Sequence, residues 1–260
     1  MKTHQQPHNV DIPPVGDADI PRRAMVLAAG LGRRMRPITM RTPKPLVKVR
    51  GVPVIDWTLD RMAAVGLETC VVNVHHLADE VRAHLARRTS PRIVFSDETA
   101  RLMDTGGGVK QALPHLGDGA FYVVNGDVLW LDGIQPALTR LAEAWDPARM
   151  DMLLLVLRLA GANGYDGRGD FFLDGWGRPR RRKAHEIAPF VHAGVLITTA
   201  ALFEDTPDDP FSLNLLFNRA MDEGRLYAVP HDGEWYHVGT PSALALAEER
   251  LGEPNICSDQ

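Results

Sequence analysis

The segment Leu27-Ala28-Ala29-Gly30-Leu31-Gly32-Arg33-Arg34-Met35-Arg36-Pro37-Ile38-Thr39, followed by Pro43-Lys44-Pro45-Leu46, has the makings of an anion site. Glycines after an apolar run let backbone N–H groups approach phosphate oxygens with no Cβ in the way. Arg34 and Lys44 are cations placed to neutralise charge on a reacting triphosphate. The spacing excludes two familiar phosphate sites. A P-loop needs Gly-Lys-Ser/Thr, which is missing, and a dinucleotide fingerprint needs a third glycine where Met35 stands.

Asn125-Gly126-Asp127 closes the apolar run that begins at Phe121. Open α/β sheets bind ligands beyond the carboxyl ends of their strands. A carboxylate there suits Mg²⁺, which takes one or two carboxylates and completes its shell with phosphate and water. Asp104-Thr105-Gly106-Gly107-Gly108 leads into a helical pattern. Its glycines admit a planar base or ribose, and a helix N-terminus favours anions. Gly169-Asp170 and the run Arg180-Arg181-Arg182-Lys183 are weaker signals, since they also read as an ordinary turn and a solvated face.

The surrounding pattern supplies the elements these residues need. Ala24 to Ala28 reads as a first strand, and Ile55, Leu59 and Met62 form a helical stripe closed by Gly66. Strands then alternate with helices: Thr69–Val74, 78–86, 93–96, a helix starting at Gly107, Phe121–Asn125, 135–144 and 152–157. That alternation predicts βαβ crossovers and a covered, mostly parallel sheet with helices on both faces. From Gly161 to Arg182 the chain is rich in Gly, Asp and Arg and predicts hairpins and loops. Val191 to Ile197 then predicts a central strand. Ser212 as N-cap and Gly224 as stop frame a helix carrying Leu213, Leu216, Phe217 and Ala220. Thr240 and Pro241 open a last helix.

Size and composition set the outer limits. The 260 residues suit one α/β domain spanning 23–252, with a first part at about 23–130 and a second at about 131–252. Polar tails are expected at 1–22 and 253–260. Hydrophobic residues at 45% and charged residues at 24% are ordinary for a soluble globular chain. With 29 Lys and Arg against 33 acids, the formal charge of -4 gives no support to nucleic-acid or membrane binding. Two separated cysteines, Cys70 and Cys257, make no disulfide framework, and no apolar run has signal-peptide or membrane-span length. A cytoplasmic protein is expected.

Taken together, Gly-x-Gly-x-Arg-x-Arg-Pro-x-Thr and Pro-Lys-Pro-Leu resemble the signature of the sugar-1-phosphate nucleotidyltransferases, with further matches in order over residues 24 to 251. The resemblance implies a Rossmann-like, GT-A-like fold and the joining of a nucleoside triphosphate to a sugar 1-phosphate with release of pyrophosphate. It implies that Arg34 and Lys44 are catalytic. It further implies that Ala29, Gly30, Gly32, Arg33, Thr105, Gly106 and Asn125 bind nucleotide, and that Asp127 holds Mg²⁺. Gly169, Asp170 and Lys183 are carried over as sugar-side residues, and the resemblance makes about 23–130 the nucleotide half and about 131–252 the sugar half. The Thr105-Gly106-Gly107-Gly108 and Arg168-Gly169-Asp170-Phe171 forms are most similar to the N-acetylmuramate 1-phosphate uridylyltransferases. They imply UTP as nucleotide and a role in cell-wall sugar recycling. GTP with mannose 1-phosphate is the runner-up, and a non-catalytic nucleotide-sugar-binding regulatory subunit is the rival of another class.

Two departures stand out. The family has an Asp as second metal ligand in Trp-x-Asp-x-Gly-Thr, where this chain reads Trp235-Tyr236-His237-Val238-Gly239-Thr240. Imidazole is a poor ligand for Mg²⁺. Either the second metal is lost, or a softer ion such as Mn²⁺ binds at Asp127 and His237, or His237 hydrogen-bonds a phosphate. The Glu-Lys-Pro segment that grips the sugar phosphate in many relatives is also missing, and the run from Arg180 to Lys183 is its rough equivalent.

Overall fold

The computed structural model describes residues 21–252, so the expected tails lie outside it, apart from Pro21 and Arg22, as does Cys257. Arg22 already belongs to the fold, because its carbonyl accepts the Glu68 and Thr69 N–H groups.

The first part runs β1 (Arg23–Leu27), β2 (Lys48–Val49), β3 (Val52–Pro53), α1 (Val54–Ala64), β4 (Thr69–Val74), α2 (Ala78–Leu85), β5 (Arg92–Asp97) and α3 (Asp104–Leu116). It continues through β6 (Phe121–Asn125), β7 (Val128–Trp130), α4 (Ala137–Ala144), β8 (Met152–Arg158) and β9 (Ala162–Asn163). Last come β10 (Phe171–Leu173), β11 (Pro179–Arg181), β12 (Phe190–Thr198), α5 (Asn214–Asp222), β13 (Leu226–Pro230), β14 (Trp235–His237) and α6 (Pro241–Arg250).

Strands covered on both faces need apolar residues at consecutive positions, not alternate ones. All six residues of β4 and the first six of β8 are buried. Within β1, Ala24 and Val26 face a core with Ile55, Leu59, Val81 and Leu141, so α1, α2 and α4 cover that side. Met25 points the other way, toward Val109 and Leu116 of α3 and Leu216 of α5. The period of two thus divides one strand between two cores.

β1 lies between β4 and β6, and β5 lies beyond β4, all parallel. The expected α/β sheet is therefore present, parallel through its first half. β12 turns the second half: it runs antiparallel to β6 over Val195–Thr198 and antiparallel to β8 along its other edge. β13 follows parallel to β8. Beyond the end of β6 at Asn125, the start of β12 takes the β10–β11 hairpin as its neighbour, with Phe171 opposite Phe190. The hairpin expected between Gly161 and Arg182 therefore stands directly past the carboxyl end of β6.

A small sheet completes the rim of the cleft. β14 pairs antiparallel with β7, setting His237 opposite Val128, and parallel with β9. Thr240 caps α6 as expected, its Oγ1 accepting the Ala243 N–H at 3.2 Å. Several boundaries shift by a residue or two from expectation, and two of the shifts bear on the site. α3 begins at Asp104 and takes in all three glycines, and α5 begins at Asn214, with Ser212 Oγ accepting the Asn214 N–H at 3.3 Å. Among the described residues no helix is long and apolar enough to cross a membrane.

Candidate active site

β1, β4 and β6 end on the same side of the sheet, and the chain segments that leave them line a cavity of about 420 Å³. The segment after β1 contributes Ala28, Ala29 and Gly30, and the end of β6 with the two residues after it contributes Asn125, Gly126 and Asp127. Lys44 and Thr105 enter from the sides. A neighbouring lobe holds Gly32, Arg33 and Arg34 and shares Gly30 and Lys44 with the first. A third lobe holds Asp170, Arg181 and His192 and shares Asp104, Thr105 and Asn125 with it. These lobes form one continuous cleft.

The start of the glycine segment is held by a side chain from β4. Asn73 Oδ1 accepts the Ala28 N–H at 2.6 Å and the Ala29 N–H at 3.3 Å. Its Nδ2 donates to Glu98 Oε1 at 2.7 Å, and Glu98 Oε2 accepts the Met103 N–H at 2.9 Å. Asn73 and Glu98 are 3% and 1% exposed, so each polar atom left without a partner would cost about 1–3 kcal/mol. Further along, Gly32 adopts φ +59, and its carbonyl accepts the Thr39 hydroxyl at 2.7 Å. Arg33 and Arg34 follow it, both exposed at the mouth of their lobe.

Lys44 and Asp127 meet across the cleft. Nζ donates to Oδ2 at 2.6 Å, with 14% and 24% of the two side chains exposed. His237 Nε2 stands 3.5 Å from the same oxygen. The Val238 N–H, just past the end of β14, donates to the Asp127 carbonyl at 2.9 Å, so two consecutive residues approach Asp127, one by backbone and one by side chain. Gly239 makes room for the arrangement, because a Cβ there would collide with the His237 ring. Burial alone would raise the Asp127 carboxyl, but His237 and Lys44 outweigh it and hold the group well below the usual carboxylate range. Gly126 is needed as well: a Cβ on it would lie 2.5 Å from the Leu27 carbonyl oxygen.

Asp127 and His237 are a sparse donor set, and no group of three or more His, Cys, Asp or Glu that could hold a metal ion occurs among the described residues. A cation caged by protein does not fit. One carboxylate in a phosphate-sized cleft does fit a divalent ion that takes most of its ligands from nucleotide phosphates and water.

Two of the three glycines of α3, Gly106 and Gly108, are required by packing within the chain. A Cβ on Gly106 would run into the Phe211 ring, and one on Gly108 would lie 2.8 Å from Glu98 Oε1 and 3.0 Å from Asn73 Nδ2. Each glycine lowers helix propensity by about 1 kcal/mol relative to alanine, a cost that the close approaches at Gly106 and Gly108 account for. The Gly106 and Gly107 N–H groups both donate to the Phe211 carbonyl, at 2.8 and 3.0 Å, rather than facing the cleft. Thr105 does line the cleft, and its Oγ1 accepts the Leu213 N–H at 2.9 Å.

On the sugar side, Asp170 lines the third lobe, with Oδ2 accepting the His192 N–H at 2.9 Å and Oδ1 the Tyr165 hydroxyl at 3.3 Å. Gly169 is buried at φ +75, where a Cβ would overlap the Ala188 carbonyl oxygen. Lys183 is exposed and lines none of the three lobes, and its N–H donates to Glu186. The cation of that run which reaches the cleft is Arg181.

Asn73, Glu98 and Arg181 were not singled out by sequence reasoning. Asn73 had a usable signal, as a lone amide at the end of an apolar strand. Glu98 follows a strand in the same way. Arg181 had none, because nothing in four consecutive cations tells which one turns inward.

A family model described as the MobA-like NTP transferase domain matches residues 24–162. The chain is 47% identical over 237 residues to an N-acetylmuramate alpha-1-phosphate uridylyltransferase of Caulobacter vibrioides, covering 90% of this chain and 98% of that one. It is 33% identical to a protein of the same description from Neisseria meningitidis serogroup B, over 88% and 98% of the two chains. A UDP-glucose pyrophosphorylase from Acinetobacter baumanii superimposes with a TM-score of 0.72 at 18% identity, over 88% and 93% of the chains, which establishes the shared fold.

Proposed function

The chain belongs to the sugar-1-phosphate nucleotidyltransferases, and from that premise we propose that it joins UTP to N-acetylmuramate 1-phosphate, forming UDP-N-acetylmuramate and pyrophosphate. The observation that carries the reading is the meeting of Lys44 and Asp127 across one cleft, beside the lobe of Arg33 and Arg34. Two uridylyltransferase relatives matched over nearly their full length support the choice of nucleotide and sugar.

A phosphate oxygen of the sugar phosphate attacks the α-phosphorus in line, a new P–O–P linkage forms, and the bond to the β-phosphate breaks. The incoming phosphate already carries the nucleophile, so the protein contributes alignment and charge. Lys44 turns from Asp127 to the α-phosphate and the incoming phosphate. Arg34, exposed at the mouth of its lobe, neutralises the departing pyrophosphate. The backbone from Ala28 to Gly32 cradles the triphosphate, with its first two N–H groups fixed by Asn73. Thr105 and Asn125 stand where the nucleotide and sugar lobes join. Asp127 is the residue to hold a divalent cation, Mg²⁺ or Mn²⁺, whose charge would offset that of the phosphates. His237 steadies the Asp127 carboxylate and takes a softer ion better than Mg²⁺.

The deciding experiment measures pyrophosphate release while crossing UTP, GTP, dTTP, CTP and ATP with a panel of sugar 1-phosphates. UTP with N-acetylmuramate 1-phosphate is expected to give the highest kcat/KM. A preference for GTP with mannose 1-phosphate would replace this reading with its runner-up. Ligand-induced stabilisation with no turnover for any pair would make the protein a binder.

A further inference from the structure

The cavity bounded by Asp170, Arg181 and His192 contains a cation that the transfer chemistry leaves unused. The other three cations of its run have separate fates. Arg180 is ion-paired with Glu186 at 2.9 Å on the exposed side. Arg182 spends its guanidinium on the carbonyls of Gly169, Lys183 and Ala184. Lys183 is exposed. Arg181 alone lines the cavity.

Its guanidinium is fixed in place. Nε donates to Asn218 Oδ1 at 2.9 Å and Nη2 to Asn214 Oδ1 at 2.7 Å, from two residues one turn apart on α5. The Phe171 and Phe217 rings lie 5.4 and 5.9 Å from Cζ. Both acceptors are neutral amides, and no carboxylate lies within ion-pair distance among the described residues. Burial pulls the guanidinium below its usual value, and Asp170, at longer range, opposes that. Asp170 itself is occupied by His192 and Tyr165. Such a site holds a half-buried positive charge, oriented by its surroundings, with Nη1 free of any partner among the described residues.

Which anion it takes follows from its place in the cleft. The lobe of Arg181 shares Asp104, Thr105 and Asn125 with the nucleotide lobe, but not Lys44 or Asp127. The 1-phosphate must lie at the Lys44 end to reach the α-phosphorus. N-acetylmuramate 1-phosphate carries one other anionic group, the lactyl carboxylate on O3, at the far side of the sugar ring. We propose that Arg181 binds this carboxylate and selects N-acetylmuramate over sugars that lack it. This inference rests on the substrate reading above. A planar guanidinium with its plane set by two amides and two rings suits a carboxylate better than an ammonium does.

The test compares kcat/KM for N-acetylmuramate 1-phosphate and for the same compound with its lactyl carboxylate converted to the neutral carboxamide. Wild-type protein is expected to favour the acid by about 10- to 100-fold, the size of one charge-assisted hydrogen bond. In Arg181→Gln that ratio should fall to near one, and in Arg181→Lys it should be intermediate. If Arg181 instead gripped the 1-phosphate, Arg181→Gln would lose the same factor on both compounds and the proposal would fall. A wild-type ratio near one overturns it even if neither variant folds. Wild-type protein that uses glucose 1-phosphate but not N-acetylmuramate 1-phosphate sinks the substrate reading itself, a result separate from the other two.

Discussion

Lys44 Nζ sits 2.6 Å from Oδ2 of Asp127, although 83 positions separate the two residues in the chain. The contact joins a cation of the proposed site to a carboxylate that lines the same cleft. Without ligand each neutralises the other, so the nucleotide must take Lys44 over while a cation takes Asp127. Nucleotide and metal should therefore bind cooperatively. Calorimetry with Mn²⁺ is expected to show weak binding to the free protein and at least about fivefold tighter binding with UTP present, the lower end of ordinary coupling between sites. Equal affinity in the two titrations would contradict the exchange.

Removing either of the two cations proposed to act on the phosphates should damage turnover more than binding. Lys44→Ala and Arg34→Ala are each expected to lower kcat by at least about 10²-fold, the scale for losing one transition-state donor. Steady-state pyrophosphate release measures this. Near-normal kcat in both variants would remove them from the chemistry.

Asp127→Asn keeps the shape of the side chain but gives up its charge. It should fold, as judged by thermal melting, and lose the metal-stimulated rate. His237→Asp replaces the imidazole, whose Nε2 stands 3.5 Å from Asp127 Oδ2, with a second and shorter carboxylate on the same side of Asp127. That change should raise the Mg²⁺-to-Mn²⁺ activity ratio, because a hard oxygen replaces an imidazole. An unaltered ratio would show that His237 does not face the ion.

The pair beneath the glycine segment should matter at a distance from the phosphates. Gly108→Ala forces a Cβ against Glu98 and Asn73, and overpacking of this kind costs about 1–3 kcal/mol. Denaturant unfolding should show that loss, and the KM for UTP should rise as Ala28 and Ala29 lose their fixed acceptor. A stability loss with no change in KM would confine the pair to a structural role.

His192 gives a pH signature. Burial, partly opposed by Asp170, pushes its imidazole down to about 4. In the unfolded chain the group titrates near 6.5. As pH falls from about 6.5 toward 4, the unfolded state takes up a proton that the folded state refuses, so stability falls, by at most about 1.4 kcal/mol per pH unit from this group. In His192→Gln the stability–pH curve should be flatter over that window. Parallel curves for the two proteins would refute the assignment.

Much of the fold could be read from the sequence because its signals are local. Runs such as Thr69–Val74 are apolar at every position only when both faces are covered, and Thr240-Pro241 is a helix start by its own chemistry. The glycine–arginine segment was legible for the same reason, since its spacing alone excludes other phosphate loops. The purpose of Gly106 and Gly108 was not. The sequence suggested room for a base, whereas the Cβ atoms they lack would have struck Glu98 and two residues far away in the chain, Phe211 and Asn73.

The sequence by itself determined the class of chemistry: backbone N–H groups, two cations and a strand-end carboxylate, each named by residue type and spacing. Only the tertiary structure decided that Lys44 lies on Asp127, that Asn73 holds the turn, and that Arg181 rather than Lys183 enters the cleft. The reason is that a side chain's direction depends on the strand register and helix face opposite it. Those neighbours come from distant parts of the chain, and no local pattern encodes where they meet.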